Sequence, residues 1–154
     1  MKFPYHITAS VAVSSAVYYY TRSISMMVSS FLAGIFIDLD HIFDFIREHG
    51  KPYTVKRFVH ICNTCQFDRL FIFLHAWEWF ILLACLTWAT GGDLLLTGVL
   101  IGYGHHMLLD ALYNGRSIWS YWLIWRWKHG FDLEIAFGDT GNCKSRKHNT
   151  KSKV

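Results

Sequence analysis

Acidic and imidazole side chains interrupt segments of this chain that are otherwise apolar. His6 opens the first such segment, Asp38, Asp40, His41 and Asp44 lie late in the second, His75 and Glu78 lie early in the third, and His105, His106 and Asp110 lie late in the fourth. No Lys or Arg falls inside these clusters. A lone charge at the centre of a membrane span costs at least ~2.5 kcal/mol, so an accumulation of this kind calls for a partner. A divalent cation is the economical one, because it neutralises several carboxylates at once and accepts neutral imidazole. Spacing selects the ligands: His106 and Asp110 are i, i+4, while Asp38 with His41 and His75 with Glu78 are i, i+3, each pair on one helical face. The expected metal set is His6, Asp38, Asp40, His41, His75, His106 and Asp110, holding one or two ions, with zinc the expected metal. On a regular helix Asp40 points away from Asp38, so the two join His41 only if the helix unwinds or two metals are present. His105 and Asp44 then orient ligating imidazoles, and Asp40 or Glu78 accepts a proton. The plainer alternatives are a capping role for Asp44, a hydrogen bond from a Trp or Tyr to Glu78, and a purely structural hydrogen-bond network for the whole set.

Those residues must be carried by helices in a bilayer. Hydrophobic residues make up 53% of the 154 and charged residues 17%, in long apolar runs that suit lipid better than a soluble core. Four candidate spans follow: Tyr5 to Tyr20, Ile24 to Ile46, Leu70 to Thr90 and Asp93 to Asn114. The first is short, rich in Ser and Ala, and is read as a retained span although it has the look of a leader. Thr21-Arg22-Ser23 and Gly91-Gly92 are the only residues between the paired spans, which makes each pair a tight hairpin. The hairpins bring every acid and imidazole named above to one end of the bundle. Basic residues Arg47, Lys51, Lys56, Arg57 and Arg69 in the middle linker, and Lys144, Arg146, Lys147, Lys151 and Lys153 in the tail, make that end cytoplasmic. The predicted fold is therefore all-α and polytopic: a four-helix transmembrane bundle of the cell inner membrane, both termini cytoplasmic, with a cytoplasmic linker and an interfacial Trp-rich segment. Residues 1–142 form its single domain and 143–154 a basic, loosely ordered tail. The net charge of +4 reads as topology beside anionic lipid and not as a nucleic-acid surface.

Two further segments carry chemistry. Cys62 and Cys65 form a Cys-x-x-Cys that suits a thiol pair or, with Cys143 and His148, a small structural zinc clasp. Ser117 to Phe131 holds four tryptophans among Arg116, Arg126 and Lys128, the pattern of an amphipathic interfacial segment whose cations could bind a phosphate or lipid headgroup.

The motif order resembles that of the YdjM-type family of predicted membrane-bound, metal-dependent hydrolases: an early His, an Asp-x-Asp-His element, a central His element and Gly-Tyr-x-x-His-x-x-x-Asp. Here these are His6, Asp38-Leu39-Asp40-His41, Leu74-His75-Ala76, and Gly102-Tyr103 through His106 to Asp110, covering residues 6 to about 127. Ile37 stands where that family has proline, and the His-Arg-Gly stretch before the third motif is missing around Phe71 to Leu74. The resemblance implies a metal-dependent hydrolase, and the residue mixture is similar to that of zinc-dependent phospholipases C. A phosphoester or other ester of a membrane lipid at the cytoplasmic leaflet is the expected substrate. The rivals are a non-catalytic metal-binding or partner-docking subunit, a di-iron oxidoreductase, for which paired Glu-x-x-His motifs are missing, and a metal transporter, for which the other halves of the spans lack ionisable groups.

Overall fold

The computed structural model describes residues 3–51, 54–64, 66–113, 117 and 119–138, and the regular structure among them is helical. Helix α1 (Phe3–Thr21) turns through Arg22 at φ 55° into α2 (Ile24–Phe36), whose first turn is capped by the Ser23 hydroxyl accepting from Met26 N. A 3-10 turn, Ile37–Leu39, carries α2 without a break into α3 (Asp40–His49). The short α4 (Val55–Asn63) is opened by the Thr54 hydroxyl and lays Phe58 and Ile61 against Phe45 and Phe67. After a non-helical stretch, α5 (Trp77–Ala89) leads through Gly91 and Gly92, both at positive φ, to α6 (Leu94–Tyr113). Asp93 caps α6 by accepting from Leu95 N and Leu96 N. Two short helices, α7 (Leu123–Lys128) and α8 (Leu133–Phe137), close the described chain.

Among the described residues two helices are long and apolar enough to cross a membrane, the continuous Ile24–His49 of 26 residues and Leu94–Tyr113 of 20. The third expected span differs from its sequence reading. Its helix starts only at Trp77 and has 13 residues, or about 20 Å against a hydrocarbon core of ~30 Å. The cause is residues 70–76, whose backbone groups are taken by side chains from other elements and so never enter a helix.

Helices α2 and α6 run parallel with a constant offset, because three glycines let the backbones touch. A Cβ on Gly98 would lie 2.4 Å from the Met26 carbonyl oxygen, and one on Gly102 would lie 2.1 Å from that of Ser30. One turn further, Gly34 O accepts from His106 Nδ1 at 2.7 Å. Helix α1 lies against both through His6, Ser10 and Ser14, which are buried on its inner face. At the hairpin-turn end Tyr19, Tyr20 and Trp88 are exposed, and at the opposite end Trp119 and Trp127 are. That double aromatic rim is the pattern of a membrane's two interfaces.

Candidate metal centre

Five pieces of chain meet at the end of the bundle away from the tight turns. Helix α6 brings His106 and Asp110, α1 brings His6, the loop before α5 brings His75, and the 3-10 turn with the start of α3 brings Asp38, Asp40 and His41. The 3-10 turn lessens the spacing conflict of a regular helix, bringing Asp38 and Asp40 from about 160° apart to about 120°. At about three residues per turn it eclipses i and i+3, so Asp38 and His41 come to the same side, 3.8 Å apart, and Asp40 still reaches His75.

Four atoms define the centre. His75 Nε2 lies 3.2 Å from His106 Nε2, 3.4 Å from Asp38 Oδ1 and 3.3 Å from Asp110 Oδ2. His106 Nε2 lies 3.4 Å from Asp38 Oδ1 and 3.7 Å from Asp110 Oδ2. A tetrahedral ion with bonds of ~2.0–2.1 Å holds its ligands about 3.3–3.4 Å apart, which these five edges reproduce closely.

The proton positions point the same way. A carbonyl oxygen only accepts, so His106 carries its hydrogen on Nδ1, donated to Gly34 O. His75 likewise donates from Nδ1 to Asp40 Oδ2 at 2.9 Å, beside the Leu74 N–H on the same oxygen. When neutral, each ring therefore turns a bare Nε2 lone pair toward the other and toward two carboxylate oxygens. Protonating both rings would press two N–H groups together at 3.2 Å, and protonating one would leave three acceptors around a single donor. A cation at the centre relieves all four atoms. His6 stands behind Asp110, its Nε2 3.0 Å from Asp110 Oδ1 and its ring stacked on His106 at 4.1 Å between centroids, which fixes the carboxylate. Two adjoining groups that share no residue, His6 with His106 and Asp110, and Asp38 with His41 and His75, could each hold a metal ion.

The loop carrying His75 is clamped from three sides. Asp44 accepts from Phe71 N and Ile72 N, and Arg126 donates to the carbonyls of Phe71, Ile72 and His75. The Tyr103 hydroxyl lies within 2.6 Å of Leu74 O and 2.7 Å of Ala76 O. Ile72 is buried and held at φ 31°, a conformation a β-branched residue adopts only under such constraint. The C-terminal segment completes the clamp, with Tyr121 O accepting from Trp77 N and Phe131 O from Leu70 N.

Several expected roles change. Glu78 does not face the centre; its carboxylate accepts from Leu123 N and Ile124 N and caps α7. Arg126 is no headgroup ligand, being fully buried on the loop carbonyls, where burial pulls it below the ordinary arginine range. His105 turns aside to Ser10 Oγ and Ile101 O and packs over Gly34, tying α1 to α6. Asp44 orients no imidazole; it holds the loop's backbone at Phe71 N and Ile72 N. Lys128 is exposed in the last turn of α7. Burial pushes the Cys62 thiol up to about 12. Arg116, Cys65, Cys143 and His148 lie outside the described residues, and with them most of the zinc-clasp set. Sequence reasoning missed Tyr103, Gly34 and Ser10, although the Gly-Tyr at 102 and 103 sat inside a motif already recognised.

Compared with protein-family models, curated proteins and solved structures, the chain matches none. The likeness to YdjM-type hydrolases accordingly rests on the order and chemistry of these residues alone.

Proposed function

We propose that the protein is a membrane-embedded, metal-dependent hydrolase, with zinc at the four-atom centre, acting on a phosphoester or other ester of a lipid at the cytoplasmic leaflet. The observation that carries this reading is the convergence of His75, His106, Asp38 and Asp110 at tetrahedral spacing on buried, mutually facing lone pairs. The two membrane-length helices and the aromatic rims support placing it in a bilayer as a four-helix bundle. An ion that keeps one position for solvent lowers the pKa of bound water toward ~7 and polarises the scissile group. The chain's own residues do the rest. His6, Asp40 and Gly34 O hold three of the four ligands in orientation. Asp40 Oδ1, beside His41, is the carboxylate left to receive a proton, since Glu78 is engaged on α7. Hydrolysis adds water across the ester: the hydroxyl goes to phosphorus or the acyl carbon, the ester bond breaks, and the departing alcohol takes the proton.

The test is release of phosphate, phosphoester headgroup or fatty acid from a panel of phospholipids by the purified protein, with Asp110→Ala as control. Release that survives chelation or the substitution would overturn the reading. One observation favours a second reading. The four donors at the centre are all protein atoms, and an ion that takes all four is commonly structural. A non-catalytic subunit with a structural ion would hold metal in full and release nothing from any lipid.

A further inference from the structure

His75, His106 and Asp110 are buried, so substrate needs an approach from elsewhere. Among the residues of the cluster only two reach the surface: the side chains of Asp38 and His41 are 17% and 27% exposed. That edge holds a second, different set of donors. His41 Nδ1 lies 3.0 Å from Asp40 Oδ1 and 3.8 Å from Asp38 Oδ1. Asp38 Oδ2 is buried and has no hydrogen-bond partner, so the carboxylate that gives Oδ1 to the first centre has a lone pair to spare. Ligands around a six-coordinate ion with bonds of ~2.1 Å are about 3.0 Å apart, the separation of His41 and Asp40.

We infer that a second divalent cation binds at this edge, held by His41, Asp40 and the second oxygen of Asp38, with Asp38 bridging it to the first; with this ion bound Asp40 Oδ1 is a ligand, and the proton passes to the departing alcohol without it. The two positions divide the labour. The inner one has four protein donors and closes the fold around itself. The outer one has three, so an ion that prefers six ligands keeps up to three positions for solvent and for substrate oxygen, on the one side where the cluster is exposed. Charge identifies the substrate class. Asp38, Asp40 and Asp110 carry three negative charges against four on two divalent ions, which leaves about one positive charge at the cluster, better matched by an anionic phosphate than by a neutral carboxyl ester. Paired cations clamping the attacking and departing oxygens are a recurrent arrangement for phosphoester cleavage. This inference rests on the hydrolase reading and narrows its substrate to a phosphoester.

The test counts metal. The full chain, purified in detergent without a polyhistidine tag, is loaded with Mn2+, a hard ion that the cysteines do not take up, desalted, and analysed for manganese per chain and by electron paramagnetic resonance. Wild type is expected to hold two ions with the spectrum of a spin-coupled pair, and His41→Ala and His41→Gln one ion with an isolated six-line signal. The Gln variant, which keeps a polar group beside Asp40, covers the event that Ala misfolds, and monodispersity on size exclusion reports on both. A wild-type count of one, whatever the variants hold, overturns the second position and leaves the hydrolase reading standing. A count of zero removes both. Two ions retained in both variants would overturn the part given to His41. In the lipid panel, release of fatty acid without phosphate or headgroup would overturn the substrate class while leaving the pair of cations intact.

Discussion

Replacing Arg126 by Met separates the structural account of the loop from the headgroup role that its sequence context suggests. The guanidinium is fully buried and donates to Phe71 O at 2.6 Å, Ile72 O at 3.2 Å and His75 O at 2.7 Å. Methionine fills similar space and donates nothing. Each stranded carbonyl costs roughly 1–3 kcal/mol, or about 3–9 kcal/mol for three, and the mutant is relieved of the several kcal/mol that burying the cation costs. A net loss of about 3–5 kcal/mol is expected, the range found when one side of a buried charged contact is removed. Lysine should recover less than half of it, because one ammonium on a flexible stem cannot serve three carbonyls fixed by a planar fork. The assay is reversible unfolding in mixed micelles, followed by tryptophan fluorescence, with and without bound metal. Zinc affinity measured against a competing chelator should fall about 10–100-fold, since the third carbonyl belongs to His75 itself. The exposed Lys128→Met serves as control and should change stability by less than about 0.5 kcal/mol. A loss below about 1 kcal/mol for Arg126→Met, with zinc affinity unchanged and binding to anionic vesicles reduced, would refute the clamp and restore the headgroup role.

Other expectations follow from the same geometry. Cobalt bound at the inner centre should show the intense visible absorption of a tetrahedral ion and lose it in His106→Ala; a weak six-coordinate spectrum would contradict the tetrahedral reading of the five edges. Gly102→Ala, whose new methyl would meet the Ser30 carbonyl oxygen at 2.1 Å, should part α2 from α6 and abolish metal uptake, and retention of stoichiometric metal would show the backbone contact to be slack. Glu78→Gln should hydrolyse within about threefold of wild type, while Glu78→Ala should cost about 0.5–2 kcal/mol through loss of the α7 cap; a hundredfold drop in turnover for Gln would return Glu78 to the chemistry. Alkylation of Cys62, with the other cysteines changed to serine, should be about a thousandfold slower at pH 8 than for a thiol at 9.0 and should keep rising with pH to about 12. A plateau near pH 9 would show the thiol to be solvated.

The cluster was legible because the cost of ionisable groups in an apolar run is independent of fold. His6, His75, His106 and Asp110 needed only hairpin connectivity to meet, and the two-residue and three-residue turns supplied it. What was hidden is the backbone's departure from regular helix. Leu70 to Ala76 has the composition of a span, and nothing in that composition announces that Asp44, Arg126 and Tyr103 will capture its amides and carbonyls. The same holds for Ile37–Leu39, where a tighter turn, unmarked by proline, lessens the conflict between Asp38 and Asp40. Glu78 and Arg126 were misassigned for a shared reason: a charge in an apolar setting signals a partner, but spacing cannot say whether that partner is a ligand or the main chain.

The clamp on His75 also has an order in time. Tyr121, Arg126 and Phe131, which hold residues 70–77 in place, are made after every metal ligand. While the ribosome has yet to reach them, the growing polypeptide owns all its donor side chains but has no fixed position for the central histidine. If the centre takes up metal as proposed, a chain cut short before Arg126 lacks the fixed His75 that uptake needs and is expected to stay empty.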